Sequence, residues 1–102
     1  MKRKLQFGDS AQTDLRMISL YLAREAGPRV AAKQLRRLRD RAVRLRDMPR
    51  TGPSYDDHGD AVRFVPCGPY VIYYQVTTAE VIVLRVLHAA QDRDAIMHKD
   101  AD

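Results

Sequence analysis

The residues best suited to take part in a chemical reaction lie near the end of the chain, where Arg85, His88 and Asp92 follow one another at short spacing. Histidine can exchange a proton near neutral pH, and an arginine can stabilise the charge that develops on a phosphate. None of the three histidines stands by a carboxylate at a spacing that would by itself indicate a general base. His88 is the histidine best placed to act as an acid or base, and His58 and His98 are expected to be solvated.

A second group of residues is defined by charge. Between residues 29 and 47, eight basic side chains stand against two aspartates, so this segment carries a net charge of +6 within a chain of +5. The basic residues are Arg29, Lys33, Arg36, Arg37, Arg39, Arg41, Arg44 and Arg46. Either they form a solvated face whose methylene stems cover apolar neighbours, or they form a docking surface for an acidic partner. For the docking interpretation we select Arg37, Arg41 and Arg44.

Several classes of protein are excluded or disfavoured by the motifs that the sequence lacks. It contains no Gly-rich phosphate loop, no H-E-x-x-H and no CxxC, and Cys67 is its single cysteine. No Cys/His spacing supports a metal site, and we expect neither a metal nor a cofactor. No stretch approaches the roughly 20 apolar residues of a membrane span, and the basic start is not followed by an apolar run. A cytoplasmic location is therefore expected.

The pattern of apolar residues predicts the elements that position these side chains. The length of 102 residues fits a single domain, residues 1–102. Alternation predicts a strand at 3–8, and helical spacing predicts a helix that Asp9 or Ser10 caps, a tight joint at Gly27-Pro28, and a second helix ending near Asp47. Three β-rich runs follow at 62–65, 70–76 and 81–87, and residues 91–102 are predicted to be a loosely held tail.

This order of elements predicts an α+β fold, β-α-α-β-β-β, in which a helical hairpin covers one face of a twisted antiparallel sheet. Alternation along the last strand predicts that Ile82, Leu84 and Val86 face the helices. The same alternation predicts that Arg85 and Leu87 point to the opposite face, which should then be partly polar. Because Arg63 and Arg85 each lie in the middle of a strand, each is expected to pair with an acidic group or to face a partner.

The sequence resembles the toxins of the ParE/RelE superfamily over roughly residues 5 to 94. Residues 85–92, RVLHAAQD, resemble the R-V-L-H-x-x-x-D that ends the last strand of ParE-type toxins. Residues 11–21 are similar to the first helix of the family, A-x-x-D-L-x-x-I-x-x-Y, and residues 49–52 are similar to its P-x-x-G loop. The resemblance implies the toxic half of a bacterial toxin–antitoxin pair.

The superfamily has two activities, and the residues favour one of them. RelE-like members cleave mRNA on the ribosome, whereas ParE-like members poison DNA gyrase. Aligning the Gly-Tyr-Arg of RelE-like sequences with residues 68–71 places their catalytic arginine on Val71, which cannot stabilise a phosphorane. The basic residue and tyrosine expected after the last strand fall near Ala90 and Ile96. The resemblance therefore implies a ParE-like toxin that binds DNA gyrase without being an enzyme, and that forms a hetero-oligomer with an acidic antitoxin.

Two alternatives remain open at this stage. A ribosome-dependent mRNA endonuclease would use His88 together with Arg85, and a non-toxic relative would only bind an antitoxin. For the ParE-like hypothesis, the candidates for contact with the target are Arg63, Arg85, His88 and Asp92. The tail is also expected to contribute, since this region is implicated in toxicity in ParE-like proteins.

Overall fold

The computed structural model describes residues 3–55, 62–91 and Ile96. In these residues the chain forms a strand, two helices and three further strands, which confirms the predicted order. The elements are β1 (Lys4–Phe7), α1 (Asp9–Ala26), α2 (Pro28–Arg44), β2 (Arg63–Cys67), β3 (Tyr70–Val76) and β4 (Glu80–His88).

The strands form one sheet in the order β1-β4-β3-β2. β2, β3 and β4 make the predicted antiparallel meander, whereas β1 runs parallel to β4 at the edge, so the sheet is mixed rather than wholly antiparallel. Parallel strands need a long crossover connection, and the helical hairpin lies in the chain between β1 and the antiparallel meander. The predicted α+β class is confirmed, with this refinement of the direction of β1.

The helical hairpin packs on one face of the sheet. Gly27 has a φ of 98°, in the left-handed region that glycine adopts without strain, and Pro28 begins α2 directly after it. The predicted cap is wrong: Gly8 precedes α1, and neither Asp9 nor Ser10 caps it. The main core contains buried residues of both helices and of the sheet: Ala11, Leu15, Leu38, Ala42, Leu45, Val65, Tyr70, Ile72, Tyr74, Val81, Val83 and Val86.

A β-bulge in β4 changes which of its residues face the helices. Tyr73 pairs with Arg85 but Tyr74 pairs with Val83, so Leu84 is an extra residue on β4. The predicted alternation is therefore wrong before the bulge: Val81 and Val83, rather than Ile82 and Leu84, join the core against the helices. Arg85 pairs with Tyr73 on the face away from the helices, as alternation predicted, but its head group reaches α1 and contacts Asp14.

The opposite face of the sheet carries a second, smaller apolar cluster. Its buried members are Val71, Tyr73 and Leu87, and the partly buried side chains packed against it are Tyr55, Val62, Phe64 and Ile96. The ring of Tyr73 lies edge-to-face with that of Tyr55, with 5.5 Å between their centroids. This face is therefore more apolar than alternation predicted, since the arginine expected here contacts α1. Neither helix is long and apolar enough to cross a membrane, within the described residues.

Candidate functional site

The first site lies where α1 crosses β4, and it is built around a charge pair. Arg85 donates to both carboxylate oxygens of Asp14, from Nε to Oδ2 at 2.7 Å and from Nη2 to Oδ1 at 2.9 Å. The main-chain N–H of Val86 donates to Asp14 Oδ2 at 2.9 Å. The two charged side chains are only 16% and 12% exposed, so little water screens this bidentate pair. Asp14 therefore ties α1 to β4 and fixes the Arg85 guanidinium.

A groove of about 610 Å³ opens next to this pair, between α1 and the start of β3. His88 lies at its rim and contacts the Tyr70 ring edge-to-face, with 5.5 Å between centroids. Its Nδ1 accepts from the N–H of Ala90 at 3.1 Å, which leaves the imidazole Nε2 for other contacts. Met17 and Tyr21 line the α1 side and are 60% and 55% exposed. The groove thus offers an exposed imidazole beside apolar surface.

Tyr70 at the floor of this groove gives the site a pH dependence. Burial, and secondly the neighbouring Tyr21, raise the pKa of Tyr70 above its usual value of 10.0. The neutral phenol is thus favoured in the fold, while the unfolded chain loses this proton near pH 10. We expect the free energy of unfolding to fall as pH rises from about 10 toward the folded pKa, and to keep the full contribution of Tyr70 below about pH 10.

The check is denaturant unfolding of the wild type and Tyr70→Phe across this pH range. The phenylalanine keeps the ring but has no proton to lose, so the alkaline fall should be smaller in the variant. If the free energies of unfolding of the wild type and the variant fell equally above about pH 10, burial of the Tyr70 phenol would be contradicted.

Arg63, on edge strand β2, contacts the loop that precedes it. Its Nη1 donates to the carbonyl oxygen of Gly52. The hydroxyl of Tyr74, on β3, bonds to the same loop. It donates to the Pro49 carbonyl at 2.7 Å and accepts from the Gly52 N–H at 3.1 Å. The segment 49–52 is therefore fixed to the sheet from both sides, and Arg63 is one of the groups that hold it.

Val71, at the position aligned with the catalytic arginine of RelE-like sequences, is buried in the second apolar cluster with Tyr73 and Leu87. Its side chain is surrounded by apolar groups. This position therefore offers no charge to a phosphate group.

Three arginines of α2 lie along one flank of the helix, the flank that faces β2. Arg37, Arg41 and Arg44 follow at spacings of four and three, which puts them on one stripe. Arg37 lies beside the turn between β2 and β3, where its carbonyl oxygen is 3.7 Å from the Sγ of Cys67. Arg37 and Arg44 are exposed and Arg41 is half-buried, and none forms an ion pair with another described residue. The stripe is therefore an accessible cationic surface.

Comparison with known proteins agrees with this geometry. Residues 5–93 match the family described as "ParE toxin of type II toxin-antitoxin system, parDE". The chain belongs to the ParE toxin family.

Solved structures share the fold of this ParE-family chain. The chromosomal ParDE toxin–antitoxin system from P. aeruginosa is 20% identical, with a TM-score of 0.74 over 85% of this chain and 96% of that one. The toxin–antitoxin complex RelBE2 from Mycobacterium tuberculosis is 22% identical, with a TM-score of 0.61 over 86% of this chain and 99% of that one. A search of curated proteins finds no significant match. At these identities the two structures show the fold alone.

The structure does not bring all four target candidates of this ParE-family chain together. Arg85 and His88 share β4, but Arg85 turns to Asp14 while His88 is exposed at the strand end. Arg63 lies on β2, separated from β4 by β3. Asp92 lies outside the described residues, as does the tail apart from Gln91 and Ile96. No group of three or more potential metal ligands occurs in the described part of the chain.

The structural role of Asp14 as the partner of Arg85 was missed by sequence reasoning. It was noted only as a match to the helix motif of the family, although a strand arginine was expected to have an acidic partner. The signal that could have found it was the apolar spacing of α1, which places Asp14 on the flank of the buried face, next to the sheet.

Proposed function

We propose that this ParE-family protein is a cytoplasmic toxin that inhibits DNA gyrase by binding it, without catalysing a reaction, and that a cognate acidic antitoxin neutralises it. Family membership supports the toxin half of the proposal, and both similar structures are toxin–antitoxin systems. The basic stripe on α2 supports an acidic partner.

The environment of Val71 is the observation that favours gyrase over mRNA as the target. Cleavage of RNA requires stabilisation of a phosphorane, and a cation near the phosphate is a major part of that stabilisation. Val71 is buried among apolar side chains, and Arg85 already forms a bidentate pair with Asp14. A nuclease site at this end of the sheet would therefore leave His88 without a free arginine next to it on β4.

The same geometry ranks the candidate contacts with gyrase. Arg85 and Arg63 each donate to groups of this chain, and both are partly buried. His88 is exposed beside Met17 and Tyr21, whose large apolar surfaces face solvent. Exposed apolar and aromatic side chains of this kind are typical of binding surfaces. We place the target contact at this groove, with Arg85 as the group that positions β4 and with Asp92 and the tail as further contacts.

Cells that express the toxin provide the first test of the proposal. Trapped gyrase complexes should produce growth arrest together with DNA-damage signalling, and coexpression of the neighbouring acidic antitoxin should reverse both. Codon-biased cuts in mRNA without DNA damage would instead show the RelE-like endonuclease. No growth phenotype from a folded, antitoxin-binding protein would show the non-toxic relative.

We expect the α2 stripe to accelerate association with the antitoxin. Charge reversal at Arg37, Arg41 and Arg44 together should slow association by about tenfold or more at low salt and reduce its dependence on salt, because steering by opposite charges is screened by ions. Stopped-flow or surface-based kinetics at several salt concentrations would measure both effects.

The matched control reverses Arg24, Arg29 and Arg36, which changes the net charge equally at exposed positions of the helical hairpin that lie off this stripe. A general charge effect would slow both triple variants alike. Equal rates for the wild type and the Arg37/Arg41/Arg44 variant, with the fold confirmed, would remove this stripe from the electrostatic interface.

A further inference from the structure

The sheet has an open edge at β1. In the described residues β1 pairs only with β4, whereas the other edge strand, β2, is partly covered by a bridge from Ser54 to Arg63. An edge strand presents main-chain groups that can pair with another extended chain.

The hydrogen bonds identify which groups of β1 are open. The N–H groups of Lys4 and Gly8 donate to Ala79 and Val83 at 2.9 Å each, so alternate residues of β1 face β4. In a parallel ladder the residues between them, Leu5 and Phe7, direct their N–H and C=O groups away from β4.

Two side chains close the ends of this outer edge. Gln12 Nε2 donates to the carbonyl oxygen of Phe7, and Arg46 Nε donates to that of Arg3, both at 2.9 Å. The open window between them consists of the N–H and C=O of Leu5 and the N–H of Phe7. Its length suits one short added strand, with three main-chain groups in a row.

A groove of about 950 Å³ runs between this window and the two helices. Its charged side chains are Arg16, Arg39 and Asp9. Arg16 and Arg39 form no ion pair with any residue that the structure describes. Leu20, 59% exposed, adds apolar surface. Two arginines against one aspartate favour an acidic chain in this groove.

We propose that an extended acidic segment of the antitoxin adds to the sheet as a strand along β1, bonding to Leu5 and Phe7 and placing carboxylates on Arg16 and Arg39. This inference rests on the proposed toxin–antitoxin function and names a second contact for that partner. Strand addition supplies affinity from main-chain hydrogen bonds and specificity from alternate side chains. A second copy of this basic chain is a poorer occupant, because Arg3, Lys4 and Arg16 would meet their own like charges.

The two antitoxin contacts lie on opposite flanks of α2. Arg37, Arg41 and Arg44 face β2, whereas Arg39 faces the β1 groove. A helix with its side chains is about 10–12 Å across, a distance that roughly four extended residues span. One antitoxin segment can therefore cross α2 and occupy both flanks.

Amide hydrogen exchange of the intact toxin, alone and in its complex with the antitoxin encoded beside it, tests this proposal without any substitution. The amides of Leu5 and Phe7 should exchange at least about tenfold more slowly in the complex, while those of Lys4 and Gly8 are already protected in the free toxin. A tight complex in which the Leu5 and Phe7 amides exchange as in the free toxin would overturn the strand addition. Protection that grows with toxin concentration in the absence of antitoxin would show a second copy at the edge and also overturn it.

Substitution at Leu5 gives an independent measurement. Leu5→Pro removes the outward N–H and is tolerated on the open side of an edge strand, whereas Leu5→Val shortens the side chain but keeps the N–H. Binding of antitoxin should weaken about tenfold or more in Leu5→Pro relative to Leu5→Val. Equal affinities of the two folded variants would contradict the proposal. Failure of the wild type to bind the antitoxin at all would overturn the proposed function itself, which distinguishes the two failures.

Discussion

Replacing Asp14 by alanine is expected to lower the free energy of unfolding by about 3–5 kcal/mol, the usual cost of removing one partner of a buried ion pair. The substitution leaves the guanidinium of Arg85 mostly buried and unpaired, and it removes the acceptor of the Val86 N–H. Both effects separate α1 from β4. Denaturant unfolding followed by circular dichroism would measure the change.

Asp9 provides the matched control, because it is an exposed aspartate at the start of the same helix. Asp9→Ala should cost less than about 1 kcal/mol. Adding Arg85→Met to Asp14→Ala should recover part of the loss, since the unpaired charge is then removed. A cost below about 1 kcal/mol for Asp14→Ala would show that the pair does not fix the helix to the sheet.

Gly52→Ala is expected to destabilise the protein by about 3 kcal/mol or more. A Cβ at this position would lie 2.1 Å from the carbonyl oxygen of Phe64 and 2.9 Å from Cγ1 of Val65. The first of these atoms belongs to the backbone of β2, so the loop and the strand would have to separate. That movement would also break the hydrogen bonds that Gly52 makes with Tyr74 and Arg63.

Gly8→Ala is the control for this substitution. Gly8 has a φ of −64°, and its added Cβ would lie at an ordinary 3.4 Å from the Val83 carbonyl oxygen. Its cost should stay below about 1 kcal/mol. Thermal or denaturant unfolding of both variants makes the comparison, and similar stabilities would contradict the tight contact between the 49–52 loop and β2.

The sequence predicted those features that depend on local patterns. Apolar spacing located both helices, and Gly27-Pro28 located the joint between them, because the left-handed glycine and the fixed φ of proline act on neighbouring residues only. The three final strands were found for the same reason. α2 nevertheless ends at Arg44 rather than near Asp47, since residues 45–47 form a turn.

Features that depend on distant residues were not predictable in this way. The alternation predicted for β4 assumed a regular strand. The bulge arises from pairing with β3, and its one extra residue reverses the faces of the β4 residues that precede it. The pair between Asp14 and Arg85 joins residues 71 positions apart, and the second apolar cluster needs Tyr55 and Ile96 from separate segments. The direction of β1 likewise follows from its pairing with β4.

The most direct test of the proposed function compares two reactions of one purified, folded preparation. The toxin is added to DNA gyrase with supercoiled DNA and, in parallel, to ribosomes that carry a defined mRNA. We predict that supercoiling is inhibited and cleaved gyrase–DNA complexes accumulate, that the mRNA stays intact, and that antitoxin reverses the gyrase effect. Cleavage of ribosome-bound mRNA that His88→Ala abolishes, with gyrase unaffected, would contradict the account and identify a nuclease.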